Sequence, residues 1–116
     1  MIKVSLFLTR RADLTREAFS EHWMNKHWPI VQTVPEVMEA TRHYVQLHNI
    51  DGLPSAVSPA PYDGIAEVWF DSKEAAIRVM TSKNWASIVA EDDRLFLDTT
   101  KTVAMFSEER VDYRPS

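Results

Sequence analysis

The order of the residue patterns constrains this chain more than any single motif does. Four short segments alternate in side-chain character, and helical patterns follow the first and the third of them. Residues 2–9 are the clearest case. Ile2, Val4, Leu6 and Leu8 share one side of a strand, and Lys3, Ser5, Phe7 and Thr9 the other. Residues 40–50, 64–70 and 99–107 predict three further strands. A chain of 116 residues has room for one domain, 1–116. The order β-α-β-β-α-β in one domain predicts an α+β, ferredoxin-like fold: an antiparallel sheet with helices on one face.

The first helix has a start signal in Thr15 as N-cap, with Glu17 in the first turn and Leu14 and Phe19 at staple positions. Phe19, Trp23 and His27 recur every four residues and share a face. Pro29 is expected to end or kink this helix near Trp28, with Ile30, Val31 and Val34 in a short extra turn before Pro35. Residues 51–61 contain Gly52, Pro54, Pro59 and Pro61 and read as a long loop between strands. Asp71 or Ser72, with Glu74, caps the second helical region, whose buried stripe is Ala75, Ala76, Val79 and Met80. A further helix is predicted from Asn84 to about Arg94, carrying Trp85, Ile88 and Val89 inward. Residues 108–116 read as a polar tail.

Composition narrows the function classes. The chain is 45% hydrophobic and 26% charged, which suits a folded globular protein. With 13 basic against 17 acidic side chains and no basic stripe, it lacks the clustered cations that nucleic-acid binding needs. There are no cysteines, so disulfides, zinc-thiolate sites and a cysteine nucleophile are excluded. No apolar run approaches the roughly 20 residues of a membrane span, and Met1-Ile2-Lys3 leads straight into an alternating strand. A cytoplasmic protein without membrane or nucleic-acid partners is the expectation. Gly52 and Gly64 are the only glycines, too few for a phosphate loop, and no serine sits in a nucleophile-elbow context. His22 and His27 are five residues apart, whereas zinc pairs on one helix face are four apart, so no metal is expected.

The alternation assigns Phe7, Tyr44, Gln46, Glu67, Trp69, Val103 and Met105 to the sheet face away from the helices. Such a face is too apolar to remain simply solvated. Two copies packed sheet to sheet would cover it and enclose a cavity, so a homodimer is expected.

Four segments in order resemble the EthD family of dimeric α+β barrel proteins. They are Phe19-x-x-His22-Trp23-x-x-x-His27-x-Pro29, Tyr44-Val45-Gln46, the run from Tyr62 to Phe70, and Asp92 or Asp93 with Phe96 and Asp98. The resemblance covers nearly the whole chain. It departs from the family in Trp28, where a small residue is frequent, and in the proline-rich insert at 51–61. What it implies is a small protein that handles a hydrophobic, cyclic or aromatic metabolite of polyketide or lactone type, without cofactor. The implied chemistry is that of a lyase or isomerase: dehydration, decarboxylation, cyclisation or lactone rearrangement. Two alternatives stand beside this: a non-catalytic small-molecule-binding accessory protein, and a cofactor-free or haem-using monooxygenase with His27 or His22 as axial ligand.

His27 matches the motif histidine of the family, and an imidazole both takes and gives a proton near neutral pH. It is the first candidate for general acid or base. Glu67 and Tyr44 complete the candidate catalytic set, while Phe7, Trp23, Trp28, Gln46, Trp69 and Met105 are the candidate substrate-binding residues. Plainer readings stand next to these. His27 can cap the helix end, Tyr44 and Gln46 can fill a subunit interface, and Glu67 can pair with Lys3 or Lys101. His48 reads as exposed, Asp63 as a turn residue before Gly64, and Glu91-Asp92-Asp93 as a solvated helix end from which one aspartate can still face a pocket.

Overall fold

A computed structural model of the protein describes residues 1–116. Strand β1 (Ile2–Leu8) leads to helix α1 (Arg16–His22) and then to a π-helical turn, Trp23–His27. Helices α2 (Trp28–Val31) and α3 (Pro35–Ala40) follow, then β2 (His43–His48) and β3 (Gly64–Phe70). Helix α4 (Lys73–Met80) precedes a second π-helical turn (Trp85–Val89), helix α5 (Ala90–Phe96) and the last strand, β4 (Val103–Ser107). The sheet order is β2-β3-β1-β4 with every pair antiparallel. This is the ferredoxin-like α+β arrangement that the element order predicts.

The caps explain where the helices begin. Thr15 accepts from the Ala18 N–H at 3.1 Å, and Ser72 accepts from the Ala75 N–H at 3.1 Å, so Ser72 rather than Asp71 caps α4. Pro29 does not end the first helical region. It occupies the first turn of α2, where a missing N–H costs little. The break falls earlier, at the π-helical turn, and the backbone stays helical through it. Helix α3, with Pro35 in its first turn, was not expected from the pattern.

Register decides which side chains share a face. Ser5 lies opposite Glu67 and Met105, and Val45 lies opposite Glu67. Phe7, Val45, Glu67, Trp69, Val103 and Met105 therefore occupy the open face, as β1, β3 and β4 predict. Tyr44 and Gln46 do not. Tyr44 is registered with Val68 and Gln46 with Ala66, which places both, and His48, on the helix side. Their polar ends find partners there: Gln46 Nε2 donates to the Trp23 carbonyl at 3.3 Å and to Tyr44 Oη at 2.9 Å, and His48 meets Ser20 Oγ at 2.8 Å. His48 is thus half-buried and not exposed.

The buried residues form two clusters between sheet and helices. One joins Val4, Val31, Val37, Phe70, Val79 and Val89; the other joins Leu8, Phe19, Trp23, Ala66, Phe96 and Leu97. Trp23 explains one of the two glycines. A Cβ at Gly64 would lie 2.6 Å from Trp23 Cζ3 and 2.9 Å from the Leu47 carbonyl oxygen, so the indole packs directly on the strand backbone. No helix is long and apolar enough to cross a membrane.

Candidate active site

The π-helical turn builds the centre of the site. In an α-helix five residues turn about 140° past a full circle, so positions 22 and 27 diverge. A π-helical turn closes its bonds from i to i+5 and brings them onto one side. His22 Nε2 lies 3.0 Å and His27 Nδ1 2.6 Å from the same oxygen, Asp92 Oδ2. His27 and Asp92 are both buried, and both imidazoles pack on the Phe96 ring, at 4.7 and 4.8 Å between centroids. A carboxylate that accepts from both rings holds His27 as its Nδ1–H tautomer. The other nitrogen, Nε2, then carries the free lone pair, and it sits 3.5 Å from Asp93 Oδ1.

Burial sets the protonation of this pair. It lowers the His27 pKa, a shift that the Asp92 hydrogen bond and charge only partly offset. It raises Asp93, helped by the neighbouring Asp92 charge, to about 7. Near neutral pH a neutral imidazole thus stands beside a carboxyl group that exchanges its proton readily. A neutral imidazole next to a protonated carboxyl group is the arrangement of a base beside an acid.

Both groups line a cavity of about 250 Å³ between the sheet and the helices. Most of the wall is apolar and comes from both core clusters, including Leu8, Val37, Val89 and Phe96. Trp28 and Tyr44 stack within it, their rings 4.2 Å apart and tilted by 8°. The second π-helical turn adds Trp85 and Val89 to the lining. Burial raises the Tyr44 pKa, with hydrogen bonds from Gln46 and Trp23 opposing, so Tyr44 stays a neutral phenol.

Of the residues singled out in the sequence, His27, Trp23, Trp28 and Tyr44 meet at this cavity, and Gln46 stands behind Tyr44 as its donor. Glu67 does not join them. It lies on the open face and accepts from Lys3 Nζ at 2.8 Å across the β1–β3 pair, the structural alternative. Phe7, Trp69 and Met105 lie on that same open face. Phe7 packs on Tyr62, and Trp69 Nε1 donates to Glu109 at 2.5 Å. This cavity lies on the helix side of the sheet, whereas the one expected between two copies would lie on the open face. Asp63 is more than a turn residue. It is buried and accepts from the Arg10 N–H, Arg10 Nη1 and Arg16 Nε at 2.9, 2.6 and 3.1 Å. Burial pushes its pKa up, but these hydrogen bonds outweigh burial and hold it below the usual carboxylate range.

The acidic run 91–93 is the main correction among the polar residues: Asp92 is buried and Asp93 lines the cavity. A signal for this exists in the sequence. Val89, Asp92, Asp93 and Phe96 follow the i, i+3, i+4, i+7 spacing of one buried face. Thr41, also in the lining, carries no comparable signal.

Asp93 makes stability depend on pH with a defined sign. Folded, it keeps its proton up to about 7, whereas its ordinary value is 3.8. Between these values the folded state binds more protons than the unfolded one, so this group lowers stability as pH rises through that window. Asp93→Asn removes the effect. Relative to wild type, the variant should gain on the order of 2 to 4 kcal/mol on going from pH 4 to pH 8, read by urea unfolding at both pH values. Equal differences at both pH values would show that Asp93 titrates normally.

The EthD domain model matches residues 11–100 of the chain. No curated protein matches it. Among solved structures, an EthD family protein from Bacillus halodurans is 21% identical with a TM-score of 0.70, covering 94% of this chain and 98% of that one. An EthD-like protein from Ralstonia eutropha is 19% identical with a TM-score of 0.72, covering 97% and 94%. A dimeric protein of unknown function and ferredoxin-like fold from Bacteroides fragilis is 13% identical with a TM-score of 0.65, covering 93% and 95%. At these identities the structural likeness establishes the fold.

Proposed function

The chain belongs to the EthD domain family, and on that premise we propose that it is a small enzyme that moves protons on a hydrophobic ring compound. The observation that carries this reading is the pairing of buried His27 with half-buried Asp93, Nε2 and Oδ1 3.5 Å apart at the wall of an apolar cavity. A base and an acid side by side can take a proton from one carbon and return one to another. The net result is a redox-neutral isomerisation, and the same pair serves dehydration. No cofactor is used in either. His27 is the base, Asp93 its acid partner, and Asp92 a positioning residue that fixes the imidazole tautomer. Tyr44, Trp23 and Trp28 hold the ring.

Cavity size bears on the substrate. An engineered apolar cavity of about 150 Å³ takes benzene, so about 250 Å³ admits a substituted or small fused ring. The protein acts as a homodimer in this reading. Support comes from the exposure of Leu47, Val103 and Met105 on the open sheet face and from the dimeric state named for the Bacteroides fragilis relative.

The test is isomerisation of 3-cyclohexenone and α-angelica lactone in deuterium oxide, followed by ultraviolet absorbance and NMR. Base removal of the proton between carbonyl and alkene, and return of a proton at the far alkene carbon, give the conjugated isomer. Enzyme-dependent conversion of either compound with deuterium uptake at that carbon is expected. If both bind and neither converts, the protein is a binding module and not a catalyst.

A further inference from the structure

The wall of the cavity discriminates by charge. Neither a lysine nor an arginine lines it, and its only acidic member is Asp93. Asp92 lies directly behind, bonded to His27. A ligand carboxylate or phosphate would enter without a cation to meet it and with two aspartates nearby, and an unpaired buried anion is strongly disfavoured. The raised Asp93 pKa reports this same environment: the site already resists one negative charge.

Two hydroxyls add a preference for oxygen. Thr41 Oγ1 is the one buried side-chain polar atom in the protein without a hydrogen-bond partner, and Thr41 lines the cavity. Buried polar atoms are almost always paired, so an unpaired one at a cavity wall calls for a partner, a water or a ligand oxygen that replaces it. Tyr44 Oη accepts from Gln46 Nε2 at 2.9 Å, while His48 Nε2 stands 2.9 Å from Gln46 Oε1 and holds the amide in that orientation. Because its oxygen is the acceptor, the Tyr44 hydroxyl keeps its own hydrogen for donation.

We infer that the ligand of this cavity is an uncharged cyclic ketone, enone or lactone whose oxygen is bound by the Thr41 hydroxyl, and that carboxylate-bearing analogues are excluded. This rests on the assignment of the cavity as the reaction site, and it names the substrate class for it. The acidic proton next to such a carbonyl is the kind that a neutral histidine can remove once a hydroxyl donor stabilises the developing enolate.

Three compounds on one indane frame test this: 2-indanone, indane and indane-2-carboxylate, titrated at pH 8 by tryptophan fluorescence, since Trp23, Trp28 and Trp85 line the cavity. The ketone should bind at least tenfold more tightly than the carboxylate and several-fold more tightly than the hydrocarbon. Thr41→Val should reduce the ketone-to-indane preference several-fold, and Thr41→Ser should restore it. A carboxylate that binds as well as the ketone overturns the inference. So does a ketone preference unchanged in Thr41→Val, or a ketone that fails to saturate below millimolar concentration. Binding needs no turnover. The expected selectivity without any isomerisation would therefore sink the catalytic reading while leaving the ligand class standing, and isomerisation of a carboxylate substrate would do the reverse.

Discussion

His27→Ala is expected to lower the rate of 3-cyclohexenone isomerisation by roughly 10² to 10⁴-fold, the range that a positioned general base contributes. Binding of the ketone should change little, because the alanine removes the proton acceptor and leaves the apolar wall and the Tyr44 hydroxyl in place. The loss should therefore appear in kcat and not in KM. His27→Gln is the companion variant. Its amide can still donate toward Asp92, so it preserves more of the buried contact while supplying no titratable nitrogen. Both variants should be equally slow. A reduction of less than threefold in both would remove His27 from the reaction and direct attention to Asp93 acting alone.

The fold was readable because its signals are periodic. Alternation in β1 and β3, helix starts at Thr15 and Ser72 and the overall element order all survive as local patterns. The site was less readable because two of its parts depend on departures from regular periods. The His22–His27 pair converges only through a π-helical turn, and a spacing of five on a regular helix separates two residues. Trp85–Val89 repeats the same device in the cavity lining, and nothing in its composition announces it.

Strand β2 failed for a different reason. Tyr44, Gln46 and His48 are more polar than their alternates Val45 and Leu47, so hydropathy alone turns them away from the core without saying where their polar ends can pair. The partners that reverse the assignment, the Trp23 carbonyl, Ser20 and the Trp28 ring, come from the first helical region and are more than a dozen residues away in sequence. With Tyr44 facing the helices, the cavity lies between sheet and helices, and the open face takes no part in it. The acidic run misleads in a related way, because a block of charges on a helix is usually solvated. Here the spacing from Val89 to Phe96 carries Asp92 and Asp93 inward, where histidines meet them.

Asp92 has the largest effect expected on the folded state. Its Oδ2 accepts from both His22 and His27, so Asp92→Ala leaves two imidazole N–H groups without a partner, one of them on a buried ring. At about 1 to 3 kcal/mol for each orphaned donor, the cost should be roughly 2 to 5 kcal/mol, a large share of the stability of a domain this size. Asp92→Asn separates hydrogen bonding from charge. Its carbonyl oxygen can still accept from both rings, so it should unfold at a denaturant concentration between those of wild type and the alanine variant. Both variants remove the negative charge that helps to hold Asp93 up at about 7, and in both the Asp93 pKa should fall toward its ordinary range. Nitrogen NMR of the labelled histidines supplies the second readout: wild type should report His27 as the Nδ1–H tautomer, and Asp92→Ala should lose that preference. Equal stability of the alanine and asparagine variants would mean that the shared carboxylate oxygen is not what holds the two histidines together.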